Sequence, residues 1–383
     1  MKIAMVAPYR IWPPDEGGRV RAAALLTHLA DGGHEVTLFC PRRGGKDIAG
    51  ASHATQPALG GASGDGAGFD ARIRVYELTG AGRRRQILSP EFLRRAPAVA
   101  RRERFDVVIS EYPWPGVHAW WLARRAGAAL VLDAPNVEGE RFRSVGSRIW
   151  RAVDGYERVV ARLADAVWAV SEEDRSRFLA RGVPARKLQV VPNGVDPRRH
   201  HPDAAARARV RAELGVDDAT RLLLFFGQLD YAPNRQALEN LAREVLPRLD
   251  RCGVAYVCAV AGKGGPARAP HQAMRLLGRV GCIADYINAA DAVLAPVTSG
   301  GGTRLKVLES VACGTPVVAT GVGAEGIDRA ACGDLLVLSD DWDAFAAAAA
   351  RTPIAFGRRV PAGFLERYGW DGVVKRIAWP GGG

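Results

Sequence analysis

The residues of this 383-residue chain best placed to do chemistry lie in one stretch, residues 299–318, SGGGTRLKVLESVACGTPVV. An apolar strand ends there at Ala295-Pro296 and runs into Gly300, Gly301 and Gly302, a flexible turn. A helix is expected from about Thr303 to Cys313, where Gly314 stops it. A loop feeding a helix N-terminus presents free backbone N–H groups and the positive end of the helix dipole, which suits a phosphate. Arg304 and Lys306 add two full positive charges on the first turn. They oppose the dipole, at roughly 0.3–1 kcal/mol each when exposed, and a bound anion gives a reason to keep them. Glu309 follows two turns in, and a carboxylate that accepts two hydrogen bonds suits a ribose diol.

A second set sits in the first half. Gly17 and Gly18 fall between a first strand and its helix, where the missing Cβ lets backbone N–H groups approach an anion. Glu16 and Arg19 flank them and are placed to touch a donor or acceptor. Asp133, Asn136 and Glu138 follow a strand end and read equally as a capped turn before a helix near Arg141 or as ligand contacts; Glu111 and Tyr112 share that ambiguity. Lys263, in AGKGG, fails the phosphate-loop spacing and reads as a loop at a strand end. Asp341 and Asp343 form a D-x-D that reads as a helix N-terminus before an Ala-rich helix, so no metal is expected. Six cysteines form no C-x-x-C pair and no zinc or disulfide framework, which points to a reducing, cytoplasmic setting. No Ser-His-Asp or Cys-His arrangement stands out.

Short apolar runs alternate with helical patterns, the signature of α/β layers on mostly parallel sheets. One series of expected strands covers 2–7, 35–40, 72–78, 106–110, 129–132, 166–170 and 188–191, with a helix over 19–31. The other covers 221–226, 255–261, 274–278, 292–295, 317–319 and 334–337. The turn-rich PNGVDPRRHHPD between them marks a boundary. The expected division is 1–190, a linker 191–205, 206–355, and a tail 356–383. The tail's Phe364, Tyr368, Trp370 and Trp379 give it apolar surface to pack back on the first domain. Residues 44–70 are rich in Gly, Ala and Ser and read as a long loop.

Taken together with PPDEGG at 13–18, VPNGVD at 191–196 and GRVGCIADYINAADAVLA at 278–295, the glycine-loop segment resembles the retaining, nucleotide-sugar-dependent glycosyltransferases of sequence family four. The resemblance covers nearly the whole chain. It implies a GT-B fold, two Rossmann-like domains facing across a cleft, and transfer of a sugar from a UDP- or GDP-sugar to an acceptor hydroxyl with retention. It requires neither a protein nucleophile nor a metal; the nucleotide sugar is a co-substrate and no cofactor is implied. Carried over by position, Gly301, Gly302, Thr303, Arg304 and Lys306 would act on the transferred sugar and pyrophosphate. Gly17, Gly18, Arg279, Val280, Leu305 and Glu309 would hold the nucleotide. Glu16, Arg19, Glu111, Tyr112, Asp133, Asn136 and Glu138 are acceptor-side candidates.

The chain departs from the family pattern in three places. The first of two glutamates eight positions apart falls on Gly301. The stretch GQLDYAPN at 227–234 lacks its phosphate-binding Arg and Lys, and a sugar-proximal His is replaced by Pro135. Arg304 and Lys306 are read as restoring the two lost cations. A nucleotide-sugar-binding protein without transfer, and a sugar-nucleotide epimerase, are the other readings on this fold.

The formal charge is +12 with a pI near 9.8. It is uneven: residues 1–190 carry 30 basic and 21 acidic side chains, and 72–104 alone carry ten Arg against three Glu. That segment is read equally as a peripheral membrane contact at the inner face beside an acceptor site, the acceptor being a small or lipid-linked molecule, and as a solvated helix. No recognised nucleic-acid-binding signature accompanies the charge. No run reaches the roughly 18 apolar residues of a membrane span.

Overall fold

A computed structural model describes residues 1–12, 14, 17–41, 70–79, 89–300, 304–352 and 357–380. The chain divides into two compact units, Met1–Pro192 with Val374–Gly383, and Asn193–Val373.

The first unit is built on seven parallel strands: β1 (Lys2–Val6), β2 (Glu35–Pro41), β3 (Arg74–Thr79), β4 (Val107–Glu111), β5 (Ala129–Ala134), β6 (Ala166–Ala169) and β7 (Leu188–Val190), in the order β3-β2-β1-β4-β5-β6-β7. Their near-continuous apolar runs follow from burial on both faces. In register, Ile3 sits between Val36 and Val107, and Glu111 lies opposite Asp133. The strand order reverses between β1 and β4, so the crevice at their carboxyl ends is where such a sheet receives a ligand. The helix Gly17–Asp31 enters from that end and buries Leu25, Leu26 and Leu29, and with them one charge, Arg21. Residues 374–380 close the unit at its β7 side. The Gln189 amide donates to Arg376 O (2.8 Å) and accepts from Ala378 N (3.1 Å), and Trp379 packs edge-on to fully buried Trp168.

The second unit has six parallel strands: β8 (Arg221–Phe226), β9 (Tyr256–Ala261), β10 (Met274–Gly278), β11 (Ala292–Ala295), β12 (Val317–Ala319) and β13 (Leu336–Leu338), in the order β10-β9-β8-β11-β12-β13. Here the order reverses between β8 and β11. The helix Ala232–Asn240 continues through a π turn, Leu241–Val245, into Leu246–Arg251. Pro247 offers no N–H and its ring would strike the carbonyl four residues back, so the ladder widens and Leu246 N–H bonds to Leu241 O instead. Gly194 is a close approach: a Cβ there would stand 2.6 Å from the Trp370 indole. Each unit is Rossmann-like, and two such domains make a GT-B fold.

All thirteen expected strands are present: β8, β10, β11 and β12 have the expected bounds, and the others shift by one or two residues. Two-residue shifts occur at β3, β5 and β13; at β3, Arg72 stands outside the strand and ion-pairs with Asp31 and Asp70. Asp341 is the expected helix cap, accepting from Ala344 N at 2.8 Å, while Asp343 pairs with Arg248. Residues 44–69 and Arg83, Arg84 and Arg85 lie outside the described residues.

Candidate functional site

In the second unit the carboxyl ends of β8, β9 and β11 converge on the helix Leu305–Ala312. The turns after β8 and β9 interlock: Gly227 N bonds Ala261 O (3.0 Å), Leu229 N bonds Lys263 O (2.8 Å), and Gly262 N reaches Gly278 O (2.7 Å). Gly262 has φ +152°, and a Cβ there would sit 1.8 Å from Gly227 O, so only glycine fits. The helix begins at Leu305 rather than near Thr303, and no side chain caps its first N–H groups. They remain available to an anion.

Lys306 lies over the Phe225 ring, its ammonium 4.3 Å from the ring centre, and donates to Asn234 Oδ1 at 3.2 Å. The Asn234 amide in turn donates to Gln228 O at 2.9 Å. Burial, and then the nearby Arg304 charge, bring Lys306 down to about 7. Arg304 donates to Val322 O (3.3 Å), Ser299 O (3.3 Å) and Gly300 O (3.1 Å), tying the glycine turn to the helix start. One turn beyond Lys306, burial pushes the Glu309 carboxyl up, and its nearest basic neighbour is His200, 4.0 Å away. No hydrogen-bond donor engages the Glu309 carboxylate among the described residues, so both oxygens are open to a ligand's hydroxyls. Leu305 is half-buried, Val280 packs against the core of this unit, and Arg279 is exposed beside it. Gly301, Gly302 and Thr303 lie outside the described residues.

The first unit carries a buried ionic cluster at the ends of β1, β4 and β5. Arg21 forks onto Asp133 (2.7 and 2.9 Å) and also donates to Val191 O (3.0 Å) and Pro192 O (3.1 Å). Tyr9 donates to Glu111 Oε1 at 3.0 Å, while Glu111 Oε2 meets no donor. Burial and the adjacent Asp133 carboxylate push Glu111 well above the usual carboxylate range. Glu138 is buried and holds Arg141 through two hydrogen bonds, 2.8 and 2.6 Å.

Of the acceptor-side candidates, then, Glu111, Asp133 and Glu138 are buried and engaged within the unit, whereas Arg19, Tyr112 and Asn136 keep partial exposure. Arg19 lies 5.8 Å from the Tyr9 ring centre, and Asn136 donates to the Tyr112 hydroxyl at 3.5 Å. Gly17 is exposed on the first helical turn. At Gly18 a Cβ would meet the hydroxyls of Tyr9 (2.7 Å) and Tyr112 (2.9 Å), so the glycine makes room for that pair. Glu16 lies outside the described residues. Sequence reasoning missed Arg21, Tyr9, Asn234 and His200. Arg21 had a signal, a cation in step with Leu25 and Leu29 on the buried stripe of an apolar helix. Asn234 and His200 had none, because tertiary structure alone brings them to Lys306 and Glu309.

Residues 16–199 match the family Glycosyltransferase Family 4, and residues 220–352 match Glycosyl transferases group 1. The D-inositol 3-phosphate glycosyltransferase of Geodermatophilus obscurus is 32% identical over 302 residues, 71% of this chain and 65% of that protein. The chain thus spans just under two thirds of that relative's length. The protein of the same name from Actinosynnema mirum is 30% identical over 311 residues, 73% of each chain. Among solved structures, sucrose-phosphate synthase from Thermosynechococcus elongatus matches with a TM-score of 0.68 at 19% identity, covering 98% of this chain and 92% of that one. Anabaena HepE in complex with UDP and glucose matches at 0.69 and 16% identity, covering 98% of both. The two structures share the fold, and the sequence matches, which run through both units and take in the helix that carries Lys306 and Glu309, place this chain in glycosyltransferase family four.

Proposed function

We propose that the chain transfers a sugar from a nucleotide-sugar donor to an acceptor hydroxyl with retention of anomeric configuration. The carrying observation is Lys306 and Glu309 on successive turns of one helix, whose uncapped N-terminus stands at the strand-order reversal of the second unit. As the sugar leaves, negative charge grows on the pyrophosphate. Lys306 and the first backbone N–H groups would stabilise it, while Glu309 would hold the ribose hydroxyls. Arg304 would act by fixing Ser299 and Gly300 at the entry to the glycine turn, and backbone N–H groups would serve the sugar in place of the carboxylate absent at Gly301. The contact of Lys306 with Asn234, inside the stretch that lost its own cations, supports the idea that Lys306 took over their place. The attacking hydroxyl would lose its proton to a donor phosphate oxygen on the same face, with no protein nucleophile. The engagement of Asp341 as a helix cap and of Asp343 with Arg248 supports a reaction without a D-x-D-bound metal.

For the acceptor, Arg19, Tyr112 and Asn136 offer one cation and two hydrogen-bonding groups at the reversal point of the first unit. The names of the relatives make inositol phosphates the first acceptors to try, alongside lipid-linked saccharides. The missing carboxylate at Gly301 favours one second reading, a protein that binds nucleotide sugar without transferring it.

A panel of UDP- and GDP-sugars read first by thermal shift and then by product formation separates the two readings, since only ligands of the folded state raise Tm. Transfer predicts both a shift and a glycosylated product. Lys306→Ala is expected to raise the donor KM or lower kcat by roughly 10- to 1,000-fold. Full activity in that variant would remove Lys306 from the mechanism.

A further inference from the structure

Among the described residues, seven large apolar side chains stand most open to solvent, and four of them, Val145, Ile149, Val159 and Leu163, fall within nineteen residues of the first unit at 43–59% exposure. Scattered exposed apolar residues need no explanation, but a cluster does. Three of the four share a line. Along the helix Trp150–Leu163 and the residue preceding it, Ile149, Ala152, Gly155, Val159 and Leu163 recur every three or four residues, so they occupy one outward stripe about four turns long.

The opposite face inverts the usual pattern of a surface helix. Its carboxylates, Asp154 and Glu157, point into the protein and are buried, and they are the only acidic residues between Arg141 and Leu163. Glu157 accepts from Glu138 N (2.8 Å) and Gly139 N (3.1 Å), and Asp154 pairs with Arg158 and Arg181. The outward side is therefore apolar and basic with no acidic side chain. Arg143, Arg148, Arg151 and Arg162 are exposed there and pair with no carboxylate among the described residues. Arg143 and Arg151 flank the Trp150 ring at 5.4 and 4.9 Å. An aromatic ring between guanidinium groups, beside an aliphatic stripe, is the chemistry of a helix lying in a headgroup layer.

The Arg-rich segment 72–104 differs. In its helix Pro90–Glu103 the apolar residues Phe92, Ala96 and Ala100 are buried in the core; Arg72, Arg74, Arg95 and Arg102 are ion-paired, and Arg94, Arg101 and Arg104 are exposed with no large exposed apolar side chain among the described residues beside them in sequence.

We propose that residues 143–163 form a docking surface for an anionic lipid bilayer, the arginines meeting headgroups and Ile149, Val159 and Leu163 entering the interface. This goes beyond the proposed transfer reaction and does not rest on it.

The full chain is sedimented with vesicles of phosphatidylcholine and phosphatidylglycerol (1:1) and with pure phosphatidylcholine, at low and high salt. The wild type is expected to pellet with the anionic vesicles and to be released by salt. Arg148→Glu/Arg151→Glu and, separately, Ile149→Glu are each expected to lower the partition coefficient at least tenfold with Tm unchanged. If Ile149→Glu lowers Tm, Arg148→Gln/Arg151→Gln carries the test. Failure of the wild type to bind at low salt, or binding that both variants retain, overturns the proposal. So does a dimer in vesicle-free buffer that Ile149→Glu converts to monomer, since the stripe would then be an interface between copies. None of these outcomes depends on sugar transfer.

Discussion

Lys306 shows how one side chain can be readable in part. Its charge at the end of a glycine turn was visible in the sequence, and the phosphate reading followed. Its burial against Phe225 was not, and burial determines how it behaves with pH. In the free protein desolvation, with Arg304 nearby, holds Lys306 near 7, so at pH 8 most of it is neutral. A pyrophosphate alongside favours the charged form and raises that value. Nucleotide binding above pH 7 should therefore take up a proton, and affinity should fall by up to about tenfold per pH unit between 7 and 9. Calorimetry of UDP or GDP binding in buffers of different ionisation heat would show the uptake in the wild type. It should vanish in Lys306→Ala. Glu309 illustrates the complementary case: its type and spacing marked it, and the structure adds an unengaged carboxylate beside His200 that no spacing could show.

At the scale of elements, strands were legible because burial on both faces leaves runs such as LLLFF and AVLA with little other reading. The widened turn in the helix after β8 also had a trace in the sequence. Ala237, Leu241, Val245 and Leu249 are all fully or nearly fully buried and recur strictly every four residues. Three steps of four outrun a 3.6-residue turn by about 1.2 residues, close to the single extra residue a π turn inserts. Order within each sheet could not be read, since nothing in a buried strand names its neighbours.

The capping group of the turn between β5 and the helix Glu138–Ser144 could not be read either, because it comes from the next helix. Glu157 accepts the Glu138 and Gly139 N–H groups, yet burial outweighs those bonds and raises its carboxyl to about 7. An acid raised in the folded state contributes its full stability below the unfolded value, near 4.3, and that contribution is lost as pH rises through 7. Between pH 5 and 8 the wild type should lose about 1–3 kcal/mol relative to Glu157→Gln. Urea unfolding of both proteins at the two pH values measures it, and parallel curves would contradict the assignment.

On the scale of the whole molecule, the two α/β series were plain in the alternation of short and long patterns. The change of unit at 192–193 falls in the turn-rich PNGVDPRRHHPD, whereas the return at 373–374 had no mark in the sequence, because it depends on contacts rather than on composition. The returning segment closes the first unit through Ile377, Trp379 and the Gln189 amide, over a Trp168 that is otherwise wholly interior. Removing residues 374–383 should destabilise the first unit by about 2–4 kcal/mol, the scale of uncovering one large aromatic side chain, and leave the second intact. Calorimetric melting with a bound nucleotide tests this. The ligand should still raise the transition of the second unit in the shortened chain, while the transition of the first moves down.

The same discontinuity orders events during synthesis. The second unit is continuous, from 193 to 373, and is complete in sequence before residues 374–383 have been made. The first unit, though translated earlier, waits with Trp168 uncovered until the second has emerged. For this chain the N-terminal domain is the first to begin folding and the last to finish.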